Sequence, residues 1–250
     1  MSGLSHRFDG PDDAPVLVLG PSLGTTLDLW EPQLPALTAS WRTLRFDLPG
    51  HGGSPAIHGT VADFADAVVD LLDGLGLGRV AYAGVSLGGA IGTALALRRP
   101  DRLTSLALCC TSAWFGDPGP WLDRAARVRA EGLEPLTGLF LGRWFTAGYA
   151  GPGVDVVRDM LKRVDPEGYA ACCDAIARFD VRDRLGDVRA PALVIGGAED
   201  VATPLDHAEA LAGGIPGADL VVVPGAHLAN LECPRPVTEA LVGHLERAKA

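Results

Sequence analysis

The stretch Arg79-Val80-Ala81-Tyr82-Ala83-Gly84-Val85-Ser86-Leu87-Gly88-Gly89-Ala90-Ile91-Gly92 constrains this 250-residue chain more than any other, because it reads as strand, sharp turn and helix in direct succession. A short apolar run leads in, and residues 90–98 contain the strong helix formers Ala90, Ala94, Leu95, Ala96, Leu97 and Arg98. Between them Gly84 and Gly88 flank Ser86 in the pattern Gly-x-Ser-x-Gly. In that pattern the serine takes a strained backbone conformation that lifts its hydroxyl above a sheet. Without side chains at 84, 88 and 89 the helix can close on the strand, and the Leu87 amide can point at whatever Ser86 attacks.

On both sides of this turn, strands alternate with helices. Strands are expected at 4–8, 16–20, 43–47, 103–110, 191–196 and 219–223, and helices at 29–38, 61–75, 205–211 and 236–246. The strands are short and apolar without period-two polarity, which predicts an α/β fold: a mostly parallel sheet covered by helices on both faces. Ligands in such sheets bind beyond the carboxyl ends of the strands. That rule gathers the loops at Ser22, His51 and Ser86 around one crevice. Between 112 and 185 the reading turns helical, and nine of the fifteen aromatic residues fall there. We therefore expect a core formed by 1–111 and 186–250, with 112–185 inserted as a helical lid.

A serine hydroxyl near neutral pH needs a base, and the base needs an acceptor that fixes its tautomer. Among six histidines, His227 directly follows a late strand and sits in a glycine-bearing loop. His51 lies in an exit loop, where its glycine neighbours suggest loop shaping, and His207 and His244 fall on helices as solvated residues. Asp200, at the end of the preceding strand, supplies the acid in the order Ser, Asp, His. Glu199 is its neighbour and rival, and a helix-capping role for Asp200 before Thr203-Pro204 is the competing reading. The oxyanion donors are expected to be the amides of Leu87 and Leu23. A serine nucleophile favours acyl transfer to water over chemistry built on an alkyl-enzyme ester.

Composition narrows the partners. A formal charge of −10, from 21 basic and 31 acidic residues, argues against nucleic acid. No apolar run reaches a membrane-spanning length of roughly 18 residues, and residues 1–15 carry Asp9, Asp12 and Asp13 without a signal-peptide core. A cytoplasmic protein with no membrane partner is expected. Five cysteines without C-x-x-C spacing read as small buried hydrophobes, and neither a metal nor a cofactor is expected. The oligomeric state is open.

Several segments resemble the α/β-hydrolase superfamily and, within it, the 3-oxoadipate enol-lactonases. They are Ser22-Leu23-Gly24-Thr25 with Leu29-Trp30, Gly84-Val85-Ser86-Leu87-Gly88-Gly89, residues 108–114, Arg143-Trp144-Phe145-Thr146, residues 168–173, and residues 226–232. The resemblance implies attack by Ser86 on the carbonyl of a small anionic lactone, with His227 as base and Asp200 as its orienting acid. It also implies a substrate site formed by Ser22, Trp114, Trp144 and Arg143, the arginine meeting a carboxylate. Arg124, Arg127 and Arg129 are alternatives for that last role. Three positions depart from the family pattern: the region before Val16 looks one strand short, Gly20-Pro21 precede Ser22, and Leu48-Pro49 precede the Gly-His-Gly turn. A general carboxylesterase, a C–C bond hydrolase with the same triad, and a ligand receptor without turnover are the other functions compatible with these residues.

Overall fold

In the structure, a computed structural model, residues 3–249 are described. Seven strands form one sheet in the order β1-β3-β2-β4-β5-β6-β7. They are β1 (His6–Asp9), β2 (Val16–Gly20), β3 (Arg42–Phe46), β4 (Val80–Val85), β5 (Leu103–Cys109), β6 (Ala192–Gly197) and β7 (Asp219–Val223). Only β1 runs antiparallel, against β3; every other pairing is parallel. The expected fold class is thus borne out. β4 and β6 are buried along their whole length, which explains why neither shows an alternating pattern.

Helices α1 (Leu34–Leu37), α2 (Val61–Gly74), α3 (Leu87–Arg98), α8 (Leu205–Gly214), α9 (Ala229–Glu232) and α10 (Pro234–Lys249) belong to the sheet region. Thr60 and Asp63 start α2 with a reciprocal capping box, and α2 packs Phe64, Val68 and Leu72 into the core. Between β5 and β6 the described elements are helical: α4 (Pro118–Glu131), α5 (Thr137–Trp144), α6 (Gly153–Leu161) and α7 (Pro166–Ile176), with short 3-10 turns. This segment is fastened to the sheet loops. Gly52 N donates to Arg163 O at 3.0 Å and Asp165 N to Gly50 O at 2.9 Å. An ideal Cβ on Gly50 would lie 2.3 Å from the Gly168 Cα, so two glycines are needed where α7 begins against the loop after β3.

Three local expectations change. The helix at 29–38 is a 3-10 turn over Leu27–Gln33 followed by the single turn of α1, because Pro32 and Pro35 remove two backbone donors in quick succession. His244 is buried rather than solvated, on the face of α10 that packs on the sheet. β7 carries exposed Leu220 and Val222, since it forms the edge of the sheet.

The core depends on close approach at the turn after β4. A Cβ at Gly88 would sit 2.4 Å from Gly20 O and 2.6 Å from Pro21 O, both backbone atoms that cannot step aside. Gly88→Ala should therefore lower unfolding stability in urea by at least about 2 kcal/mol, as overpacking does elsewhere. Gly138→Ala, in α5 with open space around the added methyl, should raise it by up to about 1 kcal/mol.

Candidate active site

Parallel registry sets the site. Gly20 pairs with Gly84, Val85 with Cys109, Cys109 with Ile195, and Gly197 with Val223, so five strands end side by side. The loops leaving them carry the predicted residues. Ser86 has φ 53° and ψ −116°, a conformation that costs a non-glycine residue about 1–3 kcal/mol. It is over-determined by its surroundings. Ser86 N donates to Cys109 O at 3.0 Å, while its carbonyl accepts from Thr111 Oγ1 at 2.6 Å and Ala90 N at 3.0 Å.

Leu87 opens α3, so its amide lies in the first turn, where helical N–H groups lack intrahelical acceptors and the helix dipole favours negative charge. Leu23 occupies a turn closed by Thr25 N donating to Ser22 O at 3.0 Å. Among the described residues neither the Leu23 nor the Leu87 amide has a hydrogen-bond acceptor. Gly88 N donates to Pro21 O at 3.1 Å and so ties this turn to the elbow. The two amides are available as a pair for a developing oxyanion.

Asp200 and His227 meet on the other side. His227 Nδ1 lies 2.9 Å from Asp200 Oδ2, with both residues buried. The carboxylate accepts from Nδ1–H, leaving Nε2 as the basic nitrogen. Asp200 also accepts from Ala202 N at 2.8 Å, Thr203 N at 2.9 Å and Thr203 Oγ1 at 2.7 Å. Burial pushes its carboxyl up, but the neighbouring His227, the His227 hydrogen bond and the Thr203 donors outweigh that, and the net direction is down. Asp200 thus holds the capping hydrogen bonds and the histidine together. Glu199 is exposed. No hydrogen bond joins Ser86 to His227 among the described residues, a contact that often tightens only with substrate.

The histidine loop is braced from behind. Ala226 N donates to Glu232 Oε2 at 2.8 Å, and the same carboxylate accepts from Thr146 N and Thr146 Oγ1. Leu228 N donates to Trp144 O at 3.0 Å. The His227 loop therefore rests on the end of α5.

Ser22, Leu23, Ser86, His227, Arg143 and Trp144 all line one cavity. Trp114 does not. It stands outside with Arg182 4.3 Å above its ring, bridged to Asp180, and the next residue, Phe115, faces the cavity instead. Adjacent residues of an extended segment point opposite ways, so the sequence register was off by one. Phe140, Trp121 and Arg124 complete the wall. The Arg124 guanidinium lies 4.4 Å from the Trp121 ring and 5.5 Å from that of Phe140. It has no carboxylate partner among the described residues. Arg127 and Arg129 point elsewhere, into ion pairs with Glu131, and with Glu167 and Asp174. Thr203 was missed from sequence, although its Asp-x-x-Thr spacing is the signal that reveals it. No group of three or more metal-ligating side chains occurs among the described residues, and no described helix is long and apolar enough to cross a membrane.

His51 is fully buried beneath the site. Burial pushes its imidazole down to about 4, against the opposing pull of the Pro49 carbonyl and Asp165. The unfolded imidazole takes up a proton near its ordinary value of 6.5, the folded one only near 4. Between those values the unfolded state binds more protons, so stability should fall as pH drops through this window, by on the order of 3 kcal/mol. Urea titrations from pH 7 to pH 4 should show this slope in the wild type and a flatter one in His51→Gln.

The comparisons with known proteins agree with the geometry. A family model for the alpha/beta hydrolase fold matches residues 15–140. 3-oxoadipate enol-lactonase 2 of Acinetobacter baylyi is 32% identical over 98% of this chain and 93% of its own. A protein of Caulobacter sp. (strain K31) named "putative carbamate hydrolase RutD" is 30% identical over 98% of this chain and 96% of its own. Among solved structures, the enol-lactonase from Burkholderia xenovorans LB400 superposes with a TM-score of 0.94 at 39% identity, covering 97% of this chain and 96% of that one. A sheet that ends in a strained serine, matched along nearly its full length by hydrolases, leaves one assignment: this chain belongs to the alpha/beta hydrolase fold family.

Proposed function

We propose that this chain is a serine hydrolase that opens a small carboxylated enol-lactone, of the 3-oxoadipate enol-lactone kind, through an acyl-enzyme. The observation that carries the reading is Arg124. It is a half-buried cation, held between aromatic rings on the wall of the cavity that contains Ser86, with no carboxylate of the described protein to neutralise it. A small anionic substrate supplies that missing charge, and a guanidinium receives a carboxylate by two parallel hydrogen bonds. Arg143 lines the same cavity but is exposed, and donates to Val201 O at 3.0 Å. We assign it the secondary role. The enol-lactonase relatives support the same substrate class.

In this mechanism Ser86 Oγ attacks the lactone carbonyl carbon while His227 Nε2 takes the hydroxyl proton. The carbonyl oxygen becomes an oxyanion facing the amides of Leu23 and Leu87. Collapse breaks the ring C–O bond, and His227 returns its proton to the departing enolate, which tautomerises to the ketone. Trp144 and Phe140 form an apolar wall that limits the site to a small ring. A water then attacks the acyl-enzyme carbonyl with His227 as base, and the second collapse restores Ser86 and releases the new carboxylate. Asp200 holds the Nδ1–H tautomer throughout and stabilises the imidazolium.

The RutD relatives favour a second reading, carbamate hydrolysis by the same nucleophile. One set of assays separates the two. The enol-lactone should be consumed with kcat/KM at least about 100-fold above that for carbamate or p-nitrophenyl acetate, a margin of roughly 2.7 kcal/mol. Ser86→Ala should abolish turnover. Faster carbamate turnover would give the second reading, an even preference for simple esters a general esterase, and no labelling of Ser86 by a fluorophosphonate a non-catalytic receptor. Arg124→Ala should raise KM for the lactone roughly 10- to 100-fold, the range of a hydrogen bond to a charged group, and leave p-nitrophenyl acetate nearly unaffected. Arg143→Ala should raise KM less, and an inverted order would transfer the carboxylate role to Arg143.

A further inference from the structure

We propose that His51 is a positioning residue for the oxyanion turn, its Nε2 lone pair holding the Gly24 amide so that the neighbouring Leu23 amide stays aimed at the oxygen of the carbonyl that Ser86 attacks. The inference rests on the serine-hydrolase reading above, but its geometry stands apart from the Ser86, Asp200 and His227 set. The His51 side chain is fully buried, with a partner at each nitrogen. Nδ1 lies 2.8 Å from Pro49 O, and Nε2 lies 2.9 Å from Gly24 N. A carbonyl can only accept and a peptide N–H can only donate, so one tautomer satisfies both: the proton sits on Nδ1 and Nε2 accepts. A protonated ring would set one N–H against another at Gly24.

The two bonds do different things. The Pro49 contact is local, two residues away, and shapes the loop after β3. The Gly24 contact crosses 27 positions of sequence to a turn in which Leu23 lines the cavity. Gly24 has φ +80°, and a Cβ there would lie 2.8 Å from the Trp144 ring, so the turn is also pressed from outside by α5. His51 itself is well anchored. It bridges to Val164, its ring stacks on Tyr169 at 6.3 Å and 28°, and the loop carrying it is bound through Gly50 and Gly52 to residues 163–165. Asp165 is the charged group whose field reaches the ring. Tyr169 is the titratable group packed against it, and Cys172 Sγ lies 3.6 Å from the Pro49 carbonyl that the ring also binds. A rigid acceptor anchored against α7 therefore fixes the Gly24 peptide of a turn that is tied elsewhere, among the described residues, only through Ser22 O and Pro21 O.

Two near-isosteres divide the two nitrogens. In His51→Asn the amide nitrogen reaches the Nδ1 position and keeps the Pro49 contact, while the acceptor for Gly24 is lost. In His51→Gln the amide oxygen reaches the Nε2 position and keeps the Gly24 contact. With p-nitrophenyl acetate, Asn should lower kcat by roughly 10- to 100-fold, somewhat less than the 10²–10³ lost on removing an oxyanion donor outright, with KM within about twofold. Gln should restore most of kcat. A trifluoromethyl ketone, whose hemiketal oxygen occupies the oxyanion position, should lose affinity for the Asn variant by a similar factor. Equal activity of folded Asn and Gln variants, or the reverse order, would overturn the proposal. Should both variants unfold, a through-hydrogen-bond N–N coupling between Gly24 and His51 in the wild-type NMR spectrum decides: its presence supports the contact, its absence ends the proposal. A wild type that shows the coupling but neither hydrolyses the ester nor reacts with a fluorophosphonate would instead overturn the serine-hydrolase reading.

Discussion

The backbone of Ser86 is the constraint on which the rest of this molecule depends. A φ of 53° at a serine persists only where neighbours leave no alternative, and here they come from three strands. β5 supplies the Cys109 carbonyl and the loop after it the Thr111 hydroxyl, β2 ends at the Gly20 carbonyl on which Gly88 closes, and β4 leads into the residue itself. A bulkier residue at 84, 88 or 89 would separate α3 from these strands. The strain is thus held by the core of the protein, and the core is in turn organised so that strand ends line up around it.

Much of this was legible from residues alone, for physical reasons that differ by element. β2 and β7 were read with their observed ends, because glycine or proline bounds them and their apolar runs are short. Ser86, Asp200 and His227 could be picked out since each directly follows an apolar strand, and the topology of a parallel sheet brings such positions together. Residues 29–38 have the apolar spacing of one helix, but Pro32 and Pro35 break it into a 3-10 turn and a single α-turn. Trp114 failed through register, a single-residue offset that periodicity cannot fix in an irregular segment. Arg124 could only be one of several arginines, because which of them lines the cavity depends on how α4 packs on α7.

Buried polar groups were least legible. Arg45 looks like a surface residue on a strand, yet it is buried with its guanidinium shared between Asp9, Glu31 and the Leu27 carbonyl. It holds the β1 edge to the turn after β2. His51 looked like a loop residue among glycines, and its neighbours are indeed shaped by glycine, but its ring is a structural acceptor. In both cases the partners lie many residues away, so no local pattern announces them. Their burial is tolerable only because each donor and acceptor is matched.

The bracing of the histidine loop carries a mechanical implication. Trp144 O accepts from Leu228 N, and Glu232 clasps both Ala226 and Thr146. Trp144 on the cavity wall and the loop that carries His227 are therefore one body. Any movement that draws Trp144 away from the crevice must drag His227 with it or break the clasp. Trp121 and Arg124 belong to a different part of the wall, where the Trp121 indole donates to Phe115 O at 2.9 Å and Arg129 ties α4 to α7, with no hydrogen bond to the His227 loop among the described residues. The walls of one small chamber are thus mounted separately, one on the His227 loop and the other on α7.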